Sequence, residues 1–282
     1  MGTGEVRPPV NEVVVSISFK QQAVLEGPRL MIGLAGVLDE LPKVDEVPPY
    51  EMAEEQPFEE QVLWPPIPQI QFVGPHQMQR RLWFTDPNSP ALLLQAQSDY
   101  LALNWRRQDA EDSYPGFDEL QSRFLHYLGV VEEACIRHGG EPLVVTRIEI
   151  TYINLLKPDT VWGSFRDISE VVSVAVPGVG GIEQLNLVYS RSIEDESGGF
   201  FGRLHTAIAT GYQPKAALEA ELRPLNIRDL SPTINVSLTA RSGSLHESLS
   251  SLDAYFSKAH NSVTDEFKAV TSTQARANWG IQ

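Results

Sequence analysis

Residues 12–19 read EVVVSISF, and this stretch decides the fold that the sequence predicts. Its apolar side chains at every second position are Val13, Val15, Ile17 and Phe19. Serines fill the positions between the last three of them. Such alternation is typical of a strand with one buried face and one solvated face, which is the usual arrangement in antiparallel sheets. We therefore expect residues 12–19 to form a strand of an antiparallel sheet.

Other stretches of the chain show the same alternation. Residues 147–153 and 233–241 alternate as clearly as the first strand. Weaker strand candidates, one of them long enough for two strands, are residues 69–73, 80–85, 91–106, 168–176, 183–190 and 200–212.

Two stretches instead repeat apolar residues at steps of three and four, which predicts long amphipathic helices. The first covers residues 117–135 and is expected to end at Gly139-Gly140, where a left-handed cap is easily formed. The second covers residues 245–267, and Ser244 with Glu247 form a capping-box pattern at its start. A shorter helix is expected within residues 30–41.

The two halves of the sequence resemble each other. An offset of 132 residues places Phe124 on Phe256 and matches all but one apolar position of the first helix. An offset of 131 residues places Ile17 on Ile148 in the opening strands. Coincidence is the competing explanation, because any two amphipathic helices align at some offset. We expect an α+β protein of two similar halves, residues 1–140 and 141–282, each a curved antiparallel sheet with one long helix packed across it.

One acidic segment departs from this pattern. Residues 39–60 contain nine acidic residues and a single Lys43, so they carry −8 of the formal net charge of −15. Prolines interrupt the segment and continue to position 68, which predicts an excursion over residues 39–68 outside the core. The excursion is either a solvated surface loop or an acidic arm that steers toward a basic partner.

Composition limits the classes of function. The 282 residues are 42% hydrophobic and 21% charged, which is typical of a globular protein. The acidic balance argues against nucleic-acid binding, and the single Cys135 excludes an internal disulfide and cysteine metal sites. No apolar run is long enough to cross a membrane, and the first residues do not form a secretion signal. We expect a cytoplasmic protein.

Motifs for catalysis are absent from the sequence. The six histidines show no metal-ligand spacing, and Cys135 lies in the apolar stripe of the first helix, where a cysteine is usually a buried hydrophobe. Neither GxSxG nor SxxK occurs. The glycine-rich residues 177–181 and 197–202 fit hairpin turns better than phosphate loops. The sequence therefore predicts a protein that is not an enzyme and has no catalytic residue, cofactor or metal.

Polar residues on the predicted strands form a candidate binding site. The members of this set are Asn104, Arg106, Arg147, Glu149, Arg203 and His205. If the strands are neighbours, these side chains either form cross-strand ion pairs on a solvated face or line a polar ligand cavity between sheet and helix.

Several short motifs, in a consistent order, span nearly the whole chain. They are PPVNEVV from Pro8, Trp83-Phe84 before an aspartate, Asn104-Trp105-Arg106, Tyr114-Pro115, EITYIN from Glu149, and Trp279-Gly280. With these motifs the chain resembles a sporadically distributed family of uncharacterised bacterial and archaeal proteins of about this length. The resemblance implies no activity. It implies an association with mobile or defence-related gene clusters.

We expect a non-enzymatic protein-binding component of a prokaryotic multi-subunit system, such as an antiviral defence or mobile-element system. The acidic arm would be one contact with a partner, which could be basic, because aromatic anchors within a charged rim are typical of interfaces. Its candidate contact residues are Tyr50, Glu51, Glu54, Glu55, Phe58, Glu59, Glu60 and Trp64. The alternative is a small-molecule sensor or an enzyme that uses the polar cavity.

Overall fold

The computed structural model describes residues 7–57, 80–109, 112–173, 181–214 and 229–281. The strands are β1 (Val10–Phe19), β2 (Lys43–Val47), β3 (Arg81–Asp86), β4 (Ser89–Gln97), β5 (Tyr100–Arg106), β6 (Val145–Leu156), β7 (Asn186–Glu194), β8 (Phe200–Pro214) and β9 (Leu230–Ser242). The α-helices are α1 (Pro28–Gly33), α2 (Phe117–Arg137), α3 (Leu252–Val270) and α4 (Thr273–Asn278).

The described strands form one nine-stranded sheet in the order β2-β3-β4-β5-β1-β6-β9-β8-β7. Every neighbouring pair is antiparallel, so the α+β class and the antiparallel strands expected from the sequence are confirmed. The sequence predicted a separate sheet in each half, whereas the described strands form one sheet. Val15 in β1 pairs with Leu103 of β5 on one side and with Ile150 of β6 on the other, which joins the strands into a single sheet.

The two faces of the sheet have different characters. On one face the apolar residues of each strand pack against the long helices, α2 over β5 and β1, and α3 over β6 and β9. The helices also touch each other, since the rings of Phe124 and Phe256 meet edge to face with centroids 5.6 Å apart. Cys135 is fully buried in this core, as expected, and burial raises the pKa of its thiol to about 11, with the charge of Glu132 acting in the same direction. The opposite face carries most of the polar side chains of the sheet.

The first helix agrees with its sequence prediction, and the second begins later than predicted. Helix α2 ends before Gly139, which has a φ of +80° and provides the expected left-handed cap. Helix α3 begins at Leu252 and not at Ser244. The backbone of Glu247 instead pairs with Val145 at the start of β6, and these sheet hydrogen bonds prevent an earlier helical turn.

Three further predictions have different outcomes. The short helix expected within residues 30–41 corresponds to the end of α1 and a 3-10 turn at Ala35–Asp39. The strand predicted over residues 168–176 is wrong where the chain is described, because a 3-10 turn at Phe165–Glu170 begins there with a capping box of Ser164 and Asp167. The candidate strand at residues 69–73 lies outside the described residues. None of the described helices is both long and apolar enough to span a bilayer.

Candidate functional site: an arginine cluster under an acidic strap

The strand register brings the predicted polar residues together. Glu149 of β6 pairs with Arg241 of β9, which in turn pairs with Arg203 of β8. Residues paired across antiparallel strands project from the same face, so these side chains and His205 lie side by side. That face is opposite to the helices, because the intervening residues of each strand, such as Ile150, are buried under α3. The sequence prediction placed these polar residues between sheet and helix, and the structure places them on the other face of the sheet.

A short extended segment, residues 48–57, crosses this polar face, and we call it the strap. It follows the edge strand β2 and is held by side chains of successive strands. The backbone of Tyr50 exchanges two hydrogen bonds with the side-chain amide of Gln97 on β4, at 3.0 and 3.1 Å. Arg147 on β6 donates to the carbonyl of Met52 at 3.0 Å, and Arg203 on β8 donates to the carbonyl of Gln56 at 2.7 Å. Residues 50–56 thus reach from β4 to β8, which are separated in the sheet by β5, β1, β6 and β9.

Met52 is the apolar anchor of the strap. It is 2% exposed and packs with Tyr100 and Ala102 in a small hydrophobic cluster separate from the main core. The ring of Tyr50 lies 4.9 Å from that of Tyr100, and the guanidinium of Arg81 lies over the Tyr50 ring at 5.6 Å. Burial raises the pKa of Tyr50, and the carboxylate of Glu149 acts in the same direction. The strap therefore packs on apolar and aromatic side chains of the sheet as well as on charged ones.

Glu55 is the charged anchor. Its side chain is 6% exposed and accepts hydrogen bonds from Arg203 at 3.0 Å and from Arg241 at 2.9 Å. The ring nitrogen Nε2 of His205 lies 2.6 Å from Oε1 of this carboxylate, the oxygen that also accepts from Arg241, whereas Arg203 donates to Oε2. Arg241 also donates to Glu149 at 2.6 Å, so one guanidinium bridges the sheet carboxylate and the strap carboxylate.

The electrostatics of this cluster favour the ionised forms of Glu55 and Arg241. Burial alone would raise the pKa of Glu55, but the hydrogen bonds and charges of His205, Arg203 and Arg241 outweigh it, and the pKa lies below the usual value. For Arg241 the signs are reversed: burial alone would lower its pKa, but the carboxylates of Glu149 and Glu55 raise it, and the net pKa lies above the usual value. Charges buried in this way are stable only while each keeps its partner.

Arg147 completes the charge balance. It pairs with Glu54 at 2.5 Å, and the Glu54 side chain is 65% exposed. Three guanidinium groups of the sheet thus face three carboxylates, two of which belong to the strap. Among the described residues, Glu149 is the one carboxylate that would remain opposite the three arginines without the strap. The strap is therefore an integral part of the charge balance of this face.

The other predicted cavity residues lie elsewhere. Asn104 donates to Glu12 at 2.8 Å and accepts from Gln95 at 2.7 Å, in a separate network on the same face. Arg106 is exposed at the end of β5. The structure thus brings together Arg147, Glu149, Arg203 and His205, and the strap residue Glu55 occupies the place expected for a ligand.

The candidate partner contacts divide into two groups. Glu51 and Glu54 are exposed, Tyr50 is half-buried and Glu55 is buried against the sheet. The prediction that residues 39–68 form an excursion outside the core is wrong for several of the described residues. Leu41 is buried in the main core, and Lys43–Val47 form strand β2 of the sheet. Met52 and Glu55 are buried against the sheet by an apolar cluster and by arginines. The remaining candidates lie outside the described residues: Phe58, Glu59, Glu60 and Trp64.

Sequence reasoning missed the central cation of the site. The available signal for Arg241 was its position in the alternation of polar residues along β9, which places it on the polar face. The pairing of Arg241 with Glu55 joins residues 186 positions apart, so no local pattern could indicate it. Within the described residues, no three His, Cys, Asp or Glu side chains are placed to hold a metal ion.

Comparisons with known proteins add no family to this description. No protein-family model matches the chain, and no curated protein matches it either.

Proposed function

We propose that the chain is a non-catalytic protein-binding component of a cytoplasmic prokaryotic assembly, such as an antiviral defence or mobile-element system. In this proposal, the docked strap is its pre-organised epitope. The observation that carries the proposal is the division of the strap: Met52 and Glu55 fix it to the sheet, while Glu51 and Glu54 remain exposed. A segment fixed in this way loses less conformational entropy on binding than a free loop does.

The exposed charges around the strap support a basic partner. Asp45 on β2 pairs in the sheet with Trp83, whose indole contacts Gln95 on the strap side, so Asp45 lies on the strap side of the sheet. There it forms an exposed ion pair with Lys43 at 2.8 Å, whereas no ion pair of Glu51 is found among the described residues. Asp45 and Glu51 are both exposed. Charges of this kind chiefly raise the association rate and make it sensitive to salt.

A duplication of the chain is also part of the proposal. In each half, the first strand pairs with the last one, β1 with β5 and β6 with β9, and a long helix follows the last strand. Read from the outer edge inward, the orders β3-β4-β5-β1 and β7-β8-β9-β6 correspond strand by strand. This connectivity supports two related units, residues 1–140 and 141–282, with β2 and the strap as an addition to the first unit.

Affinity purification of the full chain from its native host tests the function. We expect a stoichiometric protein partner at low salt, and association with the purified partner slowed at least about threefold by the double variant Asp45→Asn/Glu51→Gln. The matched control is Glu119→Gln/Glu133→Gln, which removes two exposed charges from α2 on the helix side of the sheet. This control should leave the rate unchanged.

Two results would contradict the proposal. One is recovery of the chain alone at low salt. The other is a partner whose association responds equally to the strap variant and the helix variant, because the acidic surface around the strap would then have no special role.

A further inference from the structure

A cavity lies on the opposite side of the sheet from the strap. It occupies about 370 Å³ between α3 and the strands β1, β6 and β9. Its apolar wall consists of Val10, Leu238, Val263, Phe267 and Ile281. A volume of this size falls within the range of small-molecule sites, which are mostly apolar with a few polar groups that orient the ligand.

The segment after α3 closes one end of this cavity. The backbone of Ile281 bonds to Arg276, and the Trp279 indole donates to Asp159 at 3.2 Å. The rings of Trp279 and Phe267 lie 6.1 Å apart. Ile281 is therefore held as part of the wall by hydrogen bonds and ring packing.

The polar side chains that line the cavity beside Lys268 form hydrogen bonds with protein atoms. The hydroxyl of Tyr152 is bonded to the Tyr114 hydroxyl at 2.9 Å and to Nδ1 of His260 at 3.1 Å. The amide of Asn154 donates to the carbonyl of Val236 at 3.2 Å, and the hydroxyl of Thr264 donates to a carbonyl of its own helix. The inner part of the cavity therefore suits a hydrocarbon group better than a polar one.

One cation lies at the rim. Lys268, in the last turn of α3, lines the cavity and is exposed. Across the part of the chain that the structure describes, no carboxylate forms an ion pair with its ammonium. A cation at the mouth of an apolar cavity is complementary to a ligand that carries one negative charge on an apolar body.

We propose that this cavity binds an amphipathic monocarboxylate, with its apolar chain between α3 and the sheet and its carboxylate at Lys268. This site is independent of the strap, and it lies in the layer between sheet and helix. It gives the chain a small-molecule ligand in addition to its protein-binding surface.

Octanoate is the probe, used below its micellar concentration with the full-length chain and measured by calorimetry. Octan-1-ol and octylammonium have the same chain with a neutral and a positive head group. We expect octanoate to bind more tightly than octan-1-ol, and octylammonium to bind least. Because Lys268 is exposed, Lys268→Gln should lower the octanoate affinity only about three- to fivefold and leave the octan-1-ol affinity unchanged.

Two more variants locate the binding. Thr264→Phe places a ring in the cavity from a half-buried position and should abolish binding of both octanoate and octan-1-ol, while the unfolding transition shows that the chain remains folded. Lys258→Gln, which removes another lysine of α3 outside the cavity, should change neither affinity. No octanoate binding, binding that survives Thr264→Phe, or equal losses in Lys268→Gln and Lys258→Gln would overturn the proposal.

Discussion

At the scale of single residues, Glu55 determines how the strap meets the sheet. Its carboxylate is shared by Arg203, Arg241 and His205, and two of these side chains are themselves largely buried. Removing one partner from such a cluster leaves buried charges uncompensated, which costs more than the pair contributes while it is intact. Glu55 therefore has a larger effect on stability than any exposed carboxylate of the strap.

The variant Glu55→Gln should lower the free energy of unfolding by about 1–3 kcal/mol, because a neutral amide cannot balance two guanidinium groups. Urea denaturation measures this difference. Glu119→Gln breaks an exposed pair with Arg123 and should change stability by less than about 0.5 kcal/mol. Equal effects of the two substitutions would show that the arginine cluster does not depend on Glu55.

The candidate site was only partly predictable at this scale. Alternation along β6 and β8 indicated that Arg147, Glu149, Arg203 and His205 lie on one face, and their strands are indeed neighbours of β9. The sequence could not show that Glu55 fills the space among them. A buried carboxylate and an exposed one have the same local pattern, and only the distant arginines distinguish them.

At the scale of elements, the strap differs from the strands beside it. Its described contacts with the sheet come from side chains, whereas each strand is held by backbone pairing along its length. Segments with few buried apolar contacts open at a lower free energy than core strands.

Alternation predicted the regular strands well, because it reports burial directly. The start of α3 was misplaced because pairing of residues 245–247 with β6 competes with helix formation.

The strap should respond to acid through Glu55. The pKa of Glu55 is lowered in the folded protein, so its contribution to stability is fully present above its ordinary value of 4.5. The contribution is lost as the pH falls below that value and through the lowered pKa. The charged groups that face this carboxylate are Arg203, Arg241, His205 and Glu149.

Urea denaturation at a series of pH values from 7 to 3 checks this prediction. We expect the intact chain to lose more stability between pH 5 and pH 3 than the Glu55→Gln variant, since the variant has no carboxylate to protonate at this position. Parallel curves for the two proteins would mean that Glu55 titrates in the same way in the folded and unfolded chain.

At the scale of the whole molecule, one sheet separates two different layers of the structure. The helices cover its apolar face and enclose the cavity beside Lys268, while the strap covers part of its polar face.

The sequence predicted the α+β class and the antiparallel strands, because alternation and helical periodicity follow from burial. It did not predict the joining of β1 to β6, since the alternation of β1 is the same for an edge strand and a central strand. On the polar face, the arginines of the sheet hold the strap in a fixed position.

Thiol labelling of the Met52→Cys variant tests that claim most directly, with the buried Cys135 as an internal reference for unfolding. Ala53→Cys, at the exposed neighbouring position of the strap, is the matched control for an unprotected thiol. We predict that the thiol introduced by Met52→Cys reacts at least about tenfold more slowly than the one introduced by Ala53→Cys. Adding Arg241→Gln removes one of the three partners of Glu55, so it should narrow the difference between the two rates without exposing Cys135. Equal rates at the two positions in the protein that retains Arg241 would contradict the account, because the strap would then not be docked on the sheet.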